Sequence, residues 1–133
     1  DVYKRQSKKI TPIVCFGESL EIQEKRETEK FLLSQLDYLF KDKDLDLNQC
    51  IFAYEPLWAI GKGAAADLQT INTSISYVKK VFDKNNTSLT VLYGGSVNKV
   101  NSPEILSADH ISGFLIGNSS LDGKEFANIA KNF

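Results

Sequence analysis

The sequence has little of what metal centres, disulfide frameworks and nucleic-acid surfaces are built from. It holds one histidine, His110, and two cysteines, Cys15 and Cys50. Metal sites need clustered ligands, so no metal binding is expected. The cysteines fall near the end of one candidate strand and at the start of the next. In parallel neighbours that separates them by roughly 10 Å, beyond the ~7 Å between Cα atoms that a disulfide tolerates. No charge of one sign dominates: 16 basic and 17 acidic side chains give a net charge of −1. That balance excludes a broad electrostatic partner, so neither nucleic acid nor an anionic membrane is expected. No apolar run approaches the ~18 residues of a membrane span; Ile10–Phe16 and Phe114–Ile116 are strand-sized. No signal-peptide pattern opens the chain, which makes the cytoplasm the expected location. Linkers, low-complexity stretches and charge blocks are lacking too. The 133 residues, 42% hydrophobic and 25% charged, therefore read as one globular domain or a piece of one.

What is present alternates strand and helix four times. Ile10–Phe16 is short, apolar and bounded by Gly17. Glu29–Phe40 places Phe31, Leu32, Leu36, Leu39 and Phe40 on one helical stripe. Cys50–Tyr54 is a second strand, stopped by Glu55-Pro56. Asp67 then reads as an N-cap, and Leu68, Ile71, Ile75, Val78 and Phe82 recur at steps of three and four until Asn85-Asn86. Leu89–Tyr93 is a third strand, followed at once by Gly94-Gly95-Ser96. A short helix follows, with Asn101 and Glu104 spaced as a capping box and Pro103 in the first turn. Ile111–Ile116 is the fourth strand, closed by Gly117-Asn118, and a last helix covers about Gly123–Lys131. Apolar strands separated by helices predict an α/β fold with a parallel sheet buried on both faces and right-handed crossovers.

Three features stand at the carboxyl ends of these strands, where α/β folds place their ligands. Glu55 follows the second strand and is a candidate general base. Gly94-Gly95-Ser96 follows the third and Gly117-Asn118 the fourth; such turns expose N–H groups that can hold a phosphate. Each has a plain alternative. A glutamate before proline also serves as a solvated strand terminator, and glycine-rich turns serve as turns because glycine supplies positive φ. Taken together, the placement points to a phosphate-binding site with a base beside it.

The run Ala53-Tyr54-Glu55-Pro56-Leu57-Trp58-Ala59-Ile60-Gly61 resembles the signature segment of the triosephosphate isomerase family. Tyr93-Gly94-Gly95-Ser96-Val97 resembles another of its segments. Gly113–Gly117 with Ser119-Ser120-Leu121 is similar to its last phosphate loop, and Cys15-Phe16-Gly17-Glu18 to its fifth strand end. The resemblance runs from about Ile10 to the C-terminus. It implies a parallel (β/α)4 half of a (β/α)8 TIM barrel, strands five to eight, where a whole barrel takes about 250 residues. It also implies an aldose–ketose isomerase that interconverts D-glyceraldehyde 3-phosphate and dihydroxyacetone phosphate through an enediolate. Such an enzyme uses no cofactor, takes a small phosphorylated triose as substrate, and is a homodimer when full-length. Carried over, Glu55 is the base that shuttles the proton. Pro56-Leu57-Trp58 is the leading hinge of a lid whose tip is Ala59-Ile60-Gly61. The N–H groups of Gly61, Ser96, Gly117 and Asn118 form the phosphate cradle, and Cys15 supports the base.

The departures from that pattern are specific. Lys62 stands where the family often has Thr, Ala64-Ala65-Ala66 where it has Lys-Thr-Ala, and Asn118 where it usually has Gly. The family's Arg and Gly after Glu18 fall at Gln23 and Arg26. The lysine and histidine that polarise the substrate carbonyl come from the barrel's other half and have no counterpart here. His110 precedes its strand and belongs to the opposite end. Residues 1–6 (DVYKRQ) do not fit the resemblance and, read as codons, match a sequencing-library adapter, so a non-native leader is expected there. Half a barrel is also expected to leave its first and last strands unpaired, and to expose the inward side chains of Cys50–Tyr54 and Leu89–Tyr93. Two other readings remain: a different phosphate-binding barrel, which the Glu55 context opposes, and a non-catalytic phosphometabolite-binding or assembly half-barrel.

Overall fold

A computed structural model describes residues 2–42 and 44–133. After helix α1 (Val2–Gln6) the chain runs β1 (Ile13–Phe16), α2 (Leu20–Glu24), α3 (Thr28–Lys41), β2 (Ile51–Tyr54), α4 (Leu68–Lys84), β3 (Val91–Tyr93), α5 (Ser102–Leu106), β4 (Ile111–Phe114) and α6 (Gly123–Ala130). The four strands form one parallel sheet in the order β1-β2-β3-β4. That sequential order is the half-barrel arrangement, with every strand's carboxyl end on the same side. Among the described residues β1 and β4 are open edges.

The elements follow from local chemistry. Asp67 caps α4 by accepting the Thr70 N–H at 2.7 Å. Ile71, Ile75, Val78 and Phe82 bury one stripe of that helix, and Asn86, at φ 51°, follows its end. The α3 stripe buries Leu32, Leu36 and Leu39. Several expectations change: β2 begins at Ile51 rather than Cys50, β3 at Val91 rather than Leu89, and β4 ends at Phe114 rather than Ile116. The first strand begins at Ile13 rather than Ile10, with Ile10 half exposed, because Pro12 has no N–H to donate to a ladder. The Asn101–Glu104 capping box is not formed. The Asn101 side chain turns back instead, accepting the Asn98 N–H at 2.8 Å and donating to the Ser96 carbonyl at 3.0 Å, and so braces the turn after β3. The helix α2 was not foreseen; Ser19 caps it.

The sheet is covered on one face. Phe52, Tyr54, Val91 and Tyr93 point into a core shared with Leu32, Leu36, Ile71, Ile75, Val78 and Phe82. Phe82 has no exposed surface and meets Phe40 and Phe52 edge-on, with ring centroids 4.9 and 4.8 Å away. On the other face the register aligns Ile13 with Ile51, Cys15 with Ala53, and Ala53 with Leu92. Burial there is graded: Ile13 is 48% exposed, Ile51 and Leu92 are half-buried, and Ala53 is buried. The expectation of burial on both faces is thus corrected, and the exposure falls on β1 more than on β2 or β3. No disulfide links Cys15 and Cys50.

Phe82→Ala removes a full aromatic side chain from this core. It is expected to cost about 3–5 kcal/mol, read as a drop in the urea midpoint with the slope unchanged. A cost below about 1 kcal/mol would place Phe82 outside the core.

Candidate active site

Glu55 follows β2 directly and is half-buried. Its backbone is held on both sides: its N–H donates to the Phe16 carbonyl at 2.8 Å, and the Gly94 N–H donates to the Tyr54 carbonyl at 2.9 Å. Gly17 makes the first approach possible, since a Cβ there would stand 1.9 Å from the Glu55 carbonyl oxygen. The Cys15 thiol is near enough to the Glu55 carboxylate to be influenced by it. Its partial burial, and then the hydrogen bond and charge of Glu55, push it up to about 11 from an ordinary 9.0.

Residues 56–66 leave this strand end as a loop of turns. Three contacts hold it down. The Trp58 Nε1–H donates to Glu18 Oε1 at 3.0 Å, the Ser96 hydroxyl donates to the Ala59 carbonyl at 2.6 Å, and the Ala66 N–H donates to the Tyr93 hydroxyl at 2.8 Å. Ala64-Ala65-Ala66 stays irregular, and α4 starts only at Leu68. At the tip Gly61 and Gly63 have φ of 65° and 78°, a conformation natural only to glycine. Between them Lys62 is exposed and forms no ion pair among the described residues.

Gly61, Ser96, Gly117 and Asn118 line one cleft of about 370 Å³, together with Ile60 and Asn98. The residues lining it are uncharged. Glu55 is not among them and adjoins it through the turn after β3: a Cβ at Gly94 would stand 2.7 Å from the Glu55 carboxylate, and Ser96 reaches the cleft two residues later. The turn's conformation differs from expectation. The left-handed residue is Ser96, at φ 51°, while Gly94, Gly95, Gly117 and Asn118 are not left-handed. His110 immediately precedes β4, at the far end of the strand from Glu55. A larger cleft of about 660 Å³ lies between the α2–α3 turn and α4, lined by Arg26, Thr28 and Thr73 among others. It contains none of these strand-end residues, so size does not mark the site. No cluster of metal-ligating side chains occurs among the described residues, and no described helix is long and apolar enough to cross a membrane.

Sequence reasoning assigned no role to Glu18 or Tyr54. Glu18 has no exposed surface. The Tyr54 hydroxyl donates to it at 3.1 Å and lies 3.0 Å from the Ser74 hydroxyl. The available signal was a carboxylate two residues past an apolar strand end, with a tyrosine closing the neighbouring strand.

The family model for triosephosphate isomerase matches residues 1–133. The chain belongs to the triosephosphate isomerase family. The triosephosphate isomerase of Synechococcus sp. (strain JA-2-3B'a(2-13)) is 40% identical over 90% of this chain and 46% of its own length. That of Francisella philomiragia is 36% identical over 97% of this chain and 54% of its own. That of Dehalococcoides mccartyi is 41% identical over 92% and 49%. The chain therefore spans about half the length of the curated relatives it matches.

The fold of this chain places several weak acids where their ionised forms are disfavoured. Burial raises Cys15, Cys50, Tyr54 and Tyr93 above their ordinary values of 9.0 for Cys and 10.0 for Tyr. The unfolded chain ionises these groups first, so it binds fewer protons than the folded chain above pH ~9. The stability present below that pH is expected to fall as pH rises through 9 to 11 and beyond. Urea midpoints at pH 8 and pH 10.5 check this, and equal midpoints would contradict it.

Proposed function

We propose that this chain supplies the base and the phosphate cradle of a triosephosphate isomerase. Glu55 takes a proton from one carbon of the triose phosphate, leaving an enediolate, and returns it to the neighbouring carbon. The observation that carries the reading is the juxtaposition at the strand ends. A half-buried carboxylate stands one turn away from an uncharged cleft lined by Gly61, Ser96, Gly117 and Asn118. N–H groups of Gly61, Ser96, Gly117 and Asn118 suit a phosphate, and a carboxylate near them suits proton transfer at an adjacent carbon. The loop 56–66, held at Trp58, Ala59 and Ala66, acts as the lid that excludes water from the enediolate. The substrate is D-glyceraldehyde 3-phosphate or dihydroxyacetone phosphate, with no cofactor, and the full-length parent is a cytoplasmic homodimer.

In a barrel completed by a family N-terminal half, Glu55→Gln is expected to lower kcat by about 10²–10⁴-fold while affinity for a phosphate-bearing analogue stays near wild type. A mutant keeping more than about a tenth of the activity removes Glu55 from the role of base.

Among the described residues no cation or imidazole stands at the strand ends to polarise a carbonyl, Lys62 on the lid apart. Each missing electrostatic donor costs about 10²–10³-fold. The 133-residue chain alone is therefore expected to show no measurable isomerase activity, and to gain it when the family's N-terminal half is supplied in trans. The assembly half-barrel reading draws on one observation, the exposed Ile13 beside the open edge of β1. Light scattering on the isolated chain tests it: this reading expects a dimer or larger species. An active monomer would overturn both the incomplete-site and the assembly readings.

A further inference from the structure

Two lysines adjoin the strand-end cleft along the chain, and they differ in what holds them. Lys99 follows Asn98, which lines the cleft. Its ammonium is 3.2 Å from Glu125 Oε2, and its backbone N–H donates to the same carboxylate at 3.0 Å. Lys62 stands between Gly61 and Gly63, both of which line the cleft. It is exposed and forms no ion pair among the described residues. The glycines on either side are left-handed, at φ 65° and 78°. The chain therefore turns tightly at both neighbours, and the root of the Lys62 side chain stays beside the cleft wall. From there a flexible four-carbon stem carries the ammonium.

The charges around the cleft do not by themselves suit the ligand proposed for it. A triose phosphate brings a dianion. The residues lining the cleft are uncharged, and the Glu55 carboxylate that adjoins them has the same sign as the phosphate. Backbone N–H groups contribute only partial charges, and Lys99 is already matched by Glu125. We propose that Lys62 is the counter-cation this chain brings to the phosphate: the bound anion draws the ammonium from solvent to the cleft. The proposal rests on the reading of this cleft as a phosphate site and adds to it a side chain that selects for charge, where the amides select for shape. At about 8 Å in a water-like dielectric, a unit charge and a dianion attract enough to change affinity about sixfold. Because Lys62 is exposed, salt screens the attraction, over a Debye length of about 10 Å at 0.1 M.

Phosphate binding tests this without any turnover. Inorganic phosphate at pH 8, where it is mostly a dianion, is titrated with the 133-residue chain and followed by phosphorus NMR line broadening at fixed ionic strength. Lys62→Gln is expected to weaken binding about three- to tenfold at about 20 mM salt, and not measurably at about 0.5 M. Lys62→Arg is expected to keep the wild-type affinity. Lys84→Gln changes the net charge equally at the C-terminal end of α4, the opposite end of the sheet, and is expected to stay within about twofold of wild type. Equal affinity of Lys62→Gln and wild type at low salt overturns the proposal and leaves the cleft standing as a phosphate site. A loss in Lys84→Gln as large as that in Lys62→Gln reduces the effect to net charge and also overturns it. A wild-type chain that binds no phosphate overturns the cleft reading and the proposal together. In the completed barrel Lys62→Gln is expected to raise KM about three- to tenfold with kcat near wild type, since this attraction acts on bound substrate and transition state alike. A lowered kcat with KM unchanged would overturn the counter-cation role. No turnover in any completed barrel, wild type included, would count against the isomerase reading and leave the phosphate result standing.

Discussion

The Glu18 carboxylate has no exposed surface and forms no ion pair among the described residues, yet it is hydrogen-bonded from two directions. Tyr54 donates to it from the end of β2, and Trp58 donates from the leading part of loop 56–66. Ser74, 2% exposed on α4, meets the same tyrosine hydroxyl. A buried carboxylate costs several kcal/mol unless its lone pairs are satisfied, and a half-satisfied network is worse than none. The three partners therefore hold together or not at all. The segment after β1, the end of β2, the middle of α4 and the root of loop 56–66 are locked into one arrangement. Glu55 follows Tyr54 in the chain, so its backbone position is inherited from this lock.

A second constraint is volume. The glycines at the strand ends act less as donors of flexibility than as places where nothing stands. Gly17 leaves room for the Glu55 carbonyl, Gly94 for its carboxylate, and Gly95 for the Tyr93 hydroxyl, which a Cβ would approach to 2.4 Å. That hydroxyl is the one that receives the Ala66 N–H at the far end of loop 56–66. Two adjacent glycines thus serve two different neighbours: one the carboxylate, the other the hydroxyl that holds the end of loop 56–66.

Much of the fold was legible because periodicity reports burial directly. The α4 stripe, its Asp67 cap and the parallel strands all follow from apolar spacing. The missed pieces are those where a side chain prefers a tertiary partner to its local one. Asn101 has the spacing of a capping box, but its amide is drawn back to Ser96 and Asn98, and no local pattern encodes that. The site was legible in part for the same reason. Glu55, Ser96 and Gly117 stand at strand ends, which the sequence marks by where apolar runs stop. Glu18 was not legible as a site residue, since its role depends on Tyr54 and Trp58, 36 and 40 residues away. Ser96 was legible by position but not by conformation: a serine beside two glycines gives no hint that it, rather than they, is left-handed.

The two faces of the sheet divide the core from the candidate site. Phe52, Tyr54, Val91 and Tyr93 pack with α3 and α4 into a core complete within this chain. Ile13 and Cys15 lie on the opposite face, in register with Ile51 and Ala53, where exposure rises toward the open edge at β1. The thiol near Glu55 is on that open face. Apolar side chains left in water favour whatever surface will cover them. Covering this face takes water from the neighbourhood of Cys15 and strengthens every electrostatic interaction there. It does so without repacking the helix-side core, because the strands present their alternate residues to the two sides independently. A chain built this way can keep its elements in place through one face while the electrostatics of the other are set by what docks against it.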